Sequence, residues 1–128
     1  MCELERKIEW IAFTEDVELE CKQADIVLNF SESESFSITC LEALYFGRPL
    51  IATDCGGPAE IIDFDTGYLV NLGDVKAMTQ SLEYLITHPS EREEMSRQAY
   101  SRVRSKFSYE NTINKLELLY GNLVNGKG

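Results

Sequence analysis

The hydrophobic pattern of the first 70 residues predicts short strands separated by helices. Alternating polar and apolar residues, and short apolar runs rich in β-branched side chains, are typical of strands. Four segments have one of these patterns: 7–13 (KIEWIAF), 25–30 (DIVLNF), 49–54 (PLIATD) and 67–70 (GYLV). The aromatic residues at these strand positions are expected in the core: Trp10, Phe13, Phe30 and Tyr68.

Helices are predicted between the strands and throughout the chain after residue 73. Gly47 supplies the left-handed stop of one helix, and Pro58 suits the first position of another. Asp74 and Ser108 are expected N-caps, and Ser90 with Glu93 predicts a capping box. The predicted helices cover 14–23, 36–46, 58–62, 74–87 and 90–106, and a last one follows Ser108 with Ile113, Leu116, Leu119 and Tyr120 on one face.

The order of strands and helices predicts an α/β fold with a Rossmann-like parallel sheet and C-terminal helices. We expect residues 1–128 to form a single domain. Three or four strands are few for a sheet covered on both faces, so we expect this to be an incomplete unit whose upstream strands lie elsewhere. An exposed sheet edge also suggests a dimer through that edge.

Composition narrows the classes of partner. The net charge of −10 disfavours binding to nucleic acid, which needs a basic surface. A phosphorylated small molecule stays possible, because backbone amides at a helix start bind phosphate without lysine. The N-terminus lacks an apolar signal region and the apolar runs are too short to cross a bilayer, so we expect a cytoplasmic protein.

Neither a metal site nor a disulfide is expected. The four cysteines at positions 2, 21, 40 and 55 form no CxxC pair, and the single histidine, His88, is distant from them. We interpret all four as reduced thiols.

The serine-rich loop after the second predicted strand is the first candidate site. Residues 31–35 lie where parallel strands place ligands, beyond the carboxyl end of a strand, and lead directly into a helix. The first amides of that helix, at Phe36, Ser37 and Ile38, are expected to lack partners within it and to be able to hold a phosphate.

Glu42 is the only charged residue of an otherwise apolar helix, SITCLEALYFG. A buried carboxylate needs hydrogen-bond donors, and the hydroxyl groups of a sugar or ribose are suitable ones. The alternative is structural: Ser35, Thr39 and Glu42 are at helical spacing and would form one narrow polar face exposed to solvent. Both interpretations stay open from the residues alone.

Glu34 stands in the loop before this helix, eight positions before Glu42. The two carboxylates would bracket the expected phosphate site with hydrogen-bond acceptors. A glycosidase pair is less suitable, because two acids on one loop and helix do not easily flank a bond from both sides. Gly56 and Gly57 predict a tight turn or, alternatively, a close approach of the backbone to a ligand.

The segment ESFSITCLE (34–42) resembles the E-x7-E motif of retaining glycosyltransferases of family 4, also called group 1, which have the GT-B architecture. The resemblance continues through LEALYFGRP and the Gly-Gly-Pro turn to TGYLVNLGD and KFSYEN. It covers about residues 11–120. It implies the C-terminal, donor-binding domain of a two-domain enzyme that builds polysaccharide or other glycans.

The resemblance also implies roles for particular residues. Glu34 would be catalytic and would contact hydroxyl groups of the donor sugar. Glu42 would accept hydrogen bonds from the ribose. The nucleotide sugar would be the substrate, and the reaction would need no metal ion or other cofactor. The implied donor-binding set is Glu34, Ser35, Phe36, Ser37, Ile38 and Glu42.

The chain departs from the family pattern at three positions, and two functional parts are expected outside it. Ser35 and Ser37 stand where the family commonly has glycine, and Phe30 where proline is frequent. The basic Arg/Lys pair that neutralises the leaving diphosphate and the N-terminal acceptor domain are expected upstream of Met1. We therefore expect the chain alone to be inactive.

Two function classes remain beside the enzyme. One is a non-catalytic module that binds a nucleotide sugar, and the other is a dimerising fragment. For the full-length enzyme the family resemblance leaves peripheral membrane association open.

Overall fold

The computed structural model describes residues 7–126. Three parallel strands form one sheet in the order β1-β2-β3, and six helices surround or follow it. Leu50 of β2 pairs with Val27 on one side and with Gly67 on the other. The elements are α1 (Val17–Gln23), β1 (Val27–Asn29), α2 (Ile38–Tyr45), β2 (Leu50–Thr53), α3 (Gly57–Ile61), β3 (Gly67–Val70), α4 (Val75–Thr87), α5 (Pro89–Lys106) and α6 (Tyr109–Val124).

The central strand β2 supplies side chains to both faces of the sheet. Successive side chains of a strand point to opposite faces, and all four residues of β2 are buried. Leu50 and Ala52 pack with Cys40 and Leu44 of α2 and with side chains of α3 and α5. Ile51 belongs to a second cluster, formed with β3, α4 and α5. The α/β fold class with a parallel sheet is confirmed.

Several predicted element ends agree with the structure for the expected physical reasons. Asp74 accepts a hydrogen bond from the Ala77 amide at 2.9 Å and begins α4. Gly47 has a φ of 67°, and its amide donates to the Leu44 carbonyl as α2 ends. Such left-handed stops depend only on local chemistry, which is why the sequence predicts them.

The strand predicted at 7–13 is wrong. This segment is irregular in the structure, and all seven of its residues are exposed. A strand exists only with a hydrogen-bonded neighbour, and the sheet of the described residues contains β1, β2 and β3 alone. The apolar pattern of 7–13 is that of a strand, but no partner strand lies beside it.

The prediction that four aromatic residues lie in the core is wrong for three of them. The side chains of Trp10 and Phe13 are 89% and 80% exposed, and Phe30 is 40% exposed. Phe30 follows β1 directly, where the chain leaves the sheet. Of the four aromatic residues, Tyr68 alone packs against a core cluster, where its ring contacts Tyr84 edge-on.

One predicted helix cap needs correction, and the last helix has no buried residue. The capping box of Ser90 and Glu93 does not form, because α5 begins at Pro89, whose fixed φ and missing N–H suit the first turn. None of the residues of α6 is buried, and Ser108 caps the helix as predicted. Among the described residues no helix is long and apolar enough to span a bilayer.

Candidate functional site

The loops that follow β1 and β2 are joined at the carboxyl end of the sheet. The Thr53 hydroxyl, at the end of β2, donates to the Ser31 carbonyl. Glu34 forms a parallel bridge with Gly56, and the Gly57 amide donates to the Glu34 carbonyl at 2.8 Å. The backbone around Glu34 is therefore fixed by the neighbouring loop, in the position where open α/β sheets bind ligands.

The carboxylate of Glu34 is oriented by polar side chains of its own strand and loop. Asn29 Nδ2 donates to Glu34 Oε1 at 3.0 Å, and Ser31 Oγ lies 2.6 Å from the same oxygen. Ser37 Oγ lies 3.0 Å from Asn29 Nδ2. We call Asn29, Ser31, Glu34 and Ser37 the Glu34 network. It holds a carboxylate in place within the protein's own structure.

These contacts also favour the charged form of Glu34. Hydrogen bonds from Ser31, then Ser37, then Asn29 lower the pKa of the Glu34 carboxyl below its ordinary value, while burial opposes them. Ser37 Oγ accepts bonds from Asn29 and from the Cys40 amide, so its own proton is available for Glu34. An ionised Glu34 can accept hydrogen bonds or stabilise positive charge, but it cannot act as an acid.

Helix α2 starts immediately beyond the network. Ser37 is its N-cap and accepts a hydrogen bond from the Cys40 amide at 3.2 Å. The amide of Ile38 opens the helix, whereas those of Phe36 and Ser37 precede it. Ser35, Phe36 and Ile38 have exposed side chains. The predicted phosphate-binding segment therefore lies at the positive end of the α2 dipole.

Gly56 and Gly57 are required by the close contact between the two loops. Gly56 has a φ of 116°, a conformation that favours glycine. A Cβ at Gly57 would lie 2.6 Å from Phe36 Cα and 2.7 Å from Phe36 N. The close approach is thus to the protein's own backbone, and it supports the segment that leads into α2.

Glu42 lies apart from the Glu34 network. Its side chain is half-buried, not buried, and Ile38 and Tyr45, one turn away on the same helix, are exposed. It lines a groove of about 410 Å³ between α2 and the junction of α5 and α6. We call this the Glu42 groove; its residues are Leu41, Glu42, Tyr45, Val103, Arg104, Phe107, Ser108 and Tyr109.

Two phenylalanines connect the loop with this groove. The rings of Phe36 and Phe107 have centroids 6.1 Å apart, and Phe107 lines the groove that contains Glu42. A surface therefore runs from the α2 start to Glu42 on one side of the helix. A ligand with an anionic centre and hydroxyl groups at one end would match this order of groups.

Sequence reasoning missed three contributors to the site. Asn29 lies in the apolar run from which β1 is predicted, although a polar residue near the end of such a run is itself a signal. Thr53 ends β2 in the same way and is fully buried. The aromatic groove residues of α5 and α6 had no local signal, because the fold alone brings them to Glu42.

The described residues offer no assembled metal site. Within residues 7–126, no three side chains of His, Cys, Asp or Glu come together in a group that could hold an ion. Cys21, Cys40 and Cys55 are free thiols, and burial raises the pKa of the Cys40 thiol.

Comparison with known families gives one match over most of the chain. The model of the family described as glycosyl transferases group 1 matches residues 1–102. The trehalose synthase of Pyrococcus horikoshii is 36% identical over 87 residues, which are 67% of this chain and 20% of that protein. The N-acetyl-alpha-D-glucosaminyl L-malate synthase of Bacillus anthracis is 33% identical over 109 residues, 81% of this chain and 29% of that protein.

Solved structures share the fold. The Anabaena protein Alr3699/HepE, crystallised with UDP, superimposes with a TM-score of 0.83 at 21% identity over 91% of this chain and 33% of its own. The C-terminal domain of a group 1 family protein, LpcC of Francisella tularensis, has a TM-score of 0.70 at 29% identity over 84% of this chain and 62% of its own. The chain thus spans less than a third of the curated relatives described above.

Proposed function

The chain belongs to the glycosyl transferases group 1 family, and from that premise we propose that it binds the nucleotide-sugar donor of an enzyme that transfers the sugar with retention of configuration. The observation that carries this proposal is the Glu34 network, a carboxylate held ionised beside a helix start at the carboxyl end of a parallel sheet. Anion-binding amides and a fixed carboxylate together match a sugar diphosphate.

Different residues of the site bind different parts of the nucleotide sugar. The amides at Phe36, Ser37 and Ile38, with Ser35 beside them, hold the diphosphate at the α2 start. Glu34 accepts hydrogen bonds from the donor sugar and stabilises positive charge that develops at its reacting carbon. Glu42, in the groove that Phe107 connects with this segment, accepts hydrogen bonds from the ribose.

The comparisons support the ligand class and a larger context. HepE, whose fold this chain shares, has been crystallised with UDP and with UDP-glucose. Because the relatives are several times longer than this chain, we assign it the donor-binding part of a GT-B enzyme that makes glycans in the cytoplasm. The basic side chains that neutralise the leaving diphosphate, and the domain that binds the acceptor, would come from the rest of that enzyme. This part alone would therefore be inactive.

The decisive test compares the two glutamates in the intact enzyme. Glu34→Gln removes the charge next to the reacting sugar, and we expect kcat to fall by about 10²–10³-fold with little change in nucleotide affinity. Glu42→Ala removes the expected acceptor for the ribose, and we expect Kd for the nucleoside diphosphate to rise by about 10-fold or more. Transfer kinetics and calorimetry measure the two effects.

Matched controls exist for both substitutions. Glu32→Gln changes an exposed residue of the same loop, and Glu83→Ala changes an exposed residue of α4; neither should alter kcat or Kd. Unchanged kinetics and affinity in both the Glu34 and Glu42 variants would refute the proposed site.

A further inference from the structure

Asn29 is the buried polar residue at the centre of the Glu34 network. It ends β1, its side chain is 8% exposed, and it contacts four neighbouring residues. Nδ2 lies 3.0 Å from Glu34 Oε1, 3.0 Å from Ser37 Oγ and 3.4 Å from Cys40 Sγ. Oδ1 lies 3.2 Å from the Ser31 amide nitrogen and 2.6 Å from Ser31 Oγ.

The chemistry of these neighbours fixes which way the Asn29 amide faces. The Ser31 backbone N–H can only donate, so the atom that faces it must be the oxygen of Asn29. The NH₂ group then faces Glu34 and Ser37, and its two protons match these two oxygen acceptors. A reversed amide would place its oxygen against the Glu34 carboxylate and its protons against the Ser31 N–H.

Two of the three side chains that lower the pKa of Glu34 bind the same carboxylate oxygen. Asn29 and Ser31 lie at hydrogen-bond distance from Oε1, and within residues 7–126 no donor lies at that distance from Oε2. A carboxylate held through one oxygen has a fixed plane and presents its second oxygen in a fixed direction. That direction is what a reaction at a single sugar carbon needs.

We propose that Asn29 is a positioning residue for Glu34: its amide holds Oε1 and leaves Oε2 for the donor sugar. This inference rests on the proposed function, because it assumes that Glu34 acts on the donor. Asn29 touches no substrate. It acts through Glu34, and through Ser37 it ties the carboxylate to the N-cap of α2, so that the sugar and diphosphate positions stay in register.

A purely structural role for Asn29 makes different predictions. If it only satisfied buried polar groups, its replacement would lower the free energy of unfolding but leave the active enzyme with an unchanged pH profile. As a positioning residue, it also influences the charge of Glu34. Loss of its donated hydrogen bond raises the pKa of Glu34, so the acidic limb of the rate profile moves towards neutral pH.

The test uses two variants of Asn29 in the intact enzyme. Asn29→Leu removes every polar contact, whereas Asn29→Asp keeps the acceptor for Ser31 and replaces the donor to Glu34 by a second carboxylate. For both we expect kcat to fall by about 10- to 100-fold with KM nearly unchanged, and the acidic limb to move towards neutral pH. We expect the larger shift in Asn29→Asp, because the new carboxylate repels that of Glu34.

Thr66→Val is the matched control. Thr66 is also a buried polar residue next to a strand, and its hydroxyl group bonds with Asp63, outside the Glu34 network. Its replacement should change stability but not the acidic limb. An equal shift in Thr66→Val would overturn the proposal, because it would trace the effect to general destabilisation of the fold.

The remaining outcomes separate this inference from the proposed function. If Glu34→Gln abolishes transfer while Asn29→Asp keeps the parent kcat and pH profile, the positioning role is wrong and the function stands. If Glu34→Gln is itself harmless, the proposed function fails. Should Asn29→Leu not fold, Asn29→Asp and an NMR titration of Glu34 decide the question.

Discussion

The segment from Asn29 to Tyr45 and helix α6 have the same kind of helix cap but differ in how far their side chains are buried. Each contains a helix capped by a serine hydroxyl, Ser37 for α2 and Ser108 for α6. Around Ser37 the side chains bind one another and the neighbouring loop, and α2 buries Cys40 and Leu44 against the sheet. In α6 no residue is buried.

The difference shows that local sequence signals form a helix but do not determine what the helix does. Both caps follow the same local chemistry, in which a serine oxygen accepts from an amide three residues later. The Glu34 network needs more, because it joins β1, its loop and the start of α2, and the second loop supports it. Substitutions at equivalent positions should therefore have unequal effects in the two regions.

The largest effect is expected from glycine substitutions of opposite sign. Gly57→Ala places a Cβ 2.6 Å from Phe36 Cα, and we expect it to lower the free energy of unfolding by about 1–3 kcal/mol. Gly121→Ala, inside α6 with open space around it, should raise that free energy by about 1 kcal/mol through helix propensity. Urea unfolding of both variants measures the contrast.

Equal and small changes in both glycine variants would contradict the close packing of the two loops. Gly57→Ala should also weaken binding of the nucleoside diphosphate, because its methyl group displaces the Phe36 backbone. Gly121→Ala should leave that binding unchanged.

The two serine caps provide the second contrast. Ser108→Ala removes one capping bond and should lower the free energy of unfolding by about 1 kcal/mol. Ser37→Ala removes the same bond and also leaves the buried Asn29 amide short of an acceptor, so we expect a loss of about 2 kcal/mol. Chemical denaturation compares the pair, and a loss no greater than that of Ser108→Ala would mean that the Asn29 contact contributes nothing.

The smallest expected effect is on how stability depends on pH in the acidic range. Because the folded-state pKa of Glu34 lies below its ordinary value, its stabilising contribution is present above the unfolded-state pKa and is lost as pH falls through the folded-state value. Ser31→Ala removes the leading cause of the lowered pKa. We expect NMR titration to show a Glu34 pKa closer to the ordinary value, and stability to depend less on pH below about 4.5. An unchanged titration would exclude Ser31 as the cause.

The same contrast explains how much of the fold the sequence predicts. The strand at 67–70 and the beginning of α4 after Asp74 agree with the structure, since a short apolar run and a capping aspartate are local signals. The strand expected at 7–13 is wrong, because pairing depends on neighbours that pattern alone does not reveal. The pattern of α6 predicts an apolar face, but only the three-dimensional structure shows that none of its residues is buried.

For the candidate site, the sequence predicts the loop and α2, but not the residues that hold the loop in place. Glu34 and Ser37 follow a strand and precede a helix, which the sequence shows directly. Asn29 was hidden in an apolar run, and the contact of Gly57 with Phe36 depends on how two loops meet. The groove beside Glu42 requires α5 and α6 to fold back towards α2. The roles assigned to these residues in donor binding remain predictions.

The bridge between Glu34 and Gly56 has a consequence for how the chain can vary in length. Ser31 is tied to Thr53 and Glu34 to Gly56, so one residue inserted between Ser31 and Glu34 would shift the carboxylate by about 3 Å relative to Asn29. Glu32 and Ser33 are exposed, so their identity is free even though their number is not. The turn at Gly73, with open space around it, could be lengthened without moving any of these atoms.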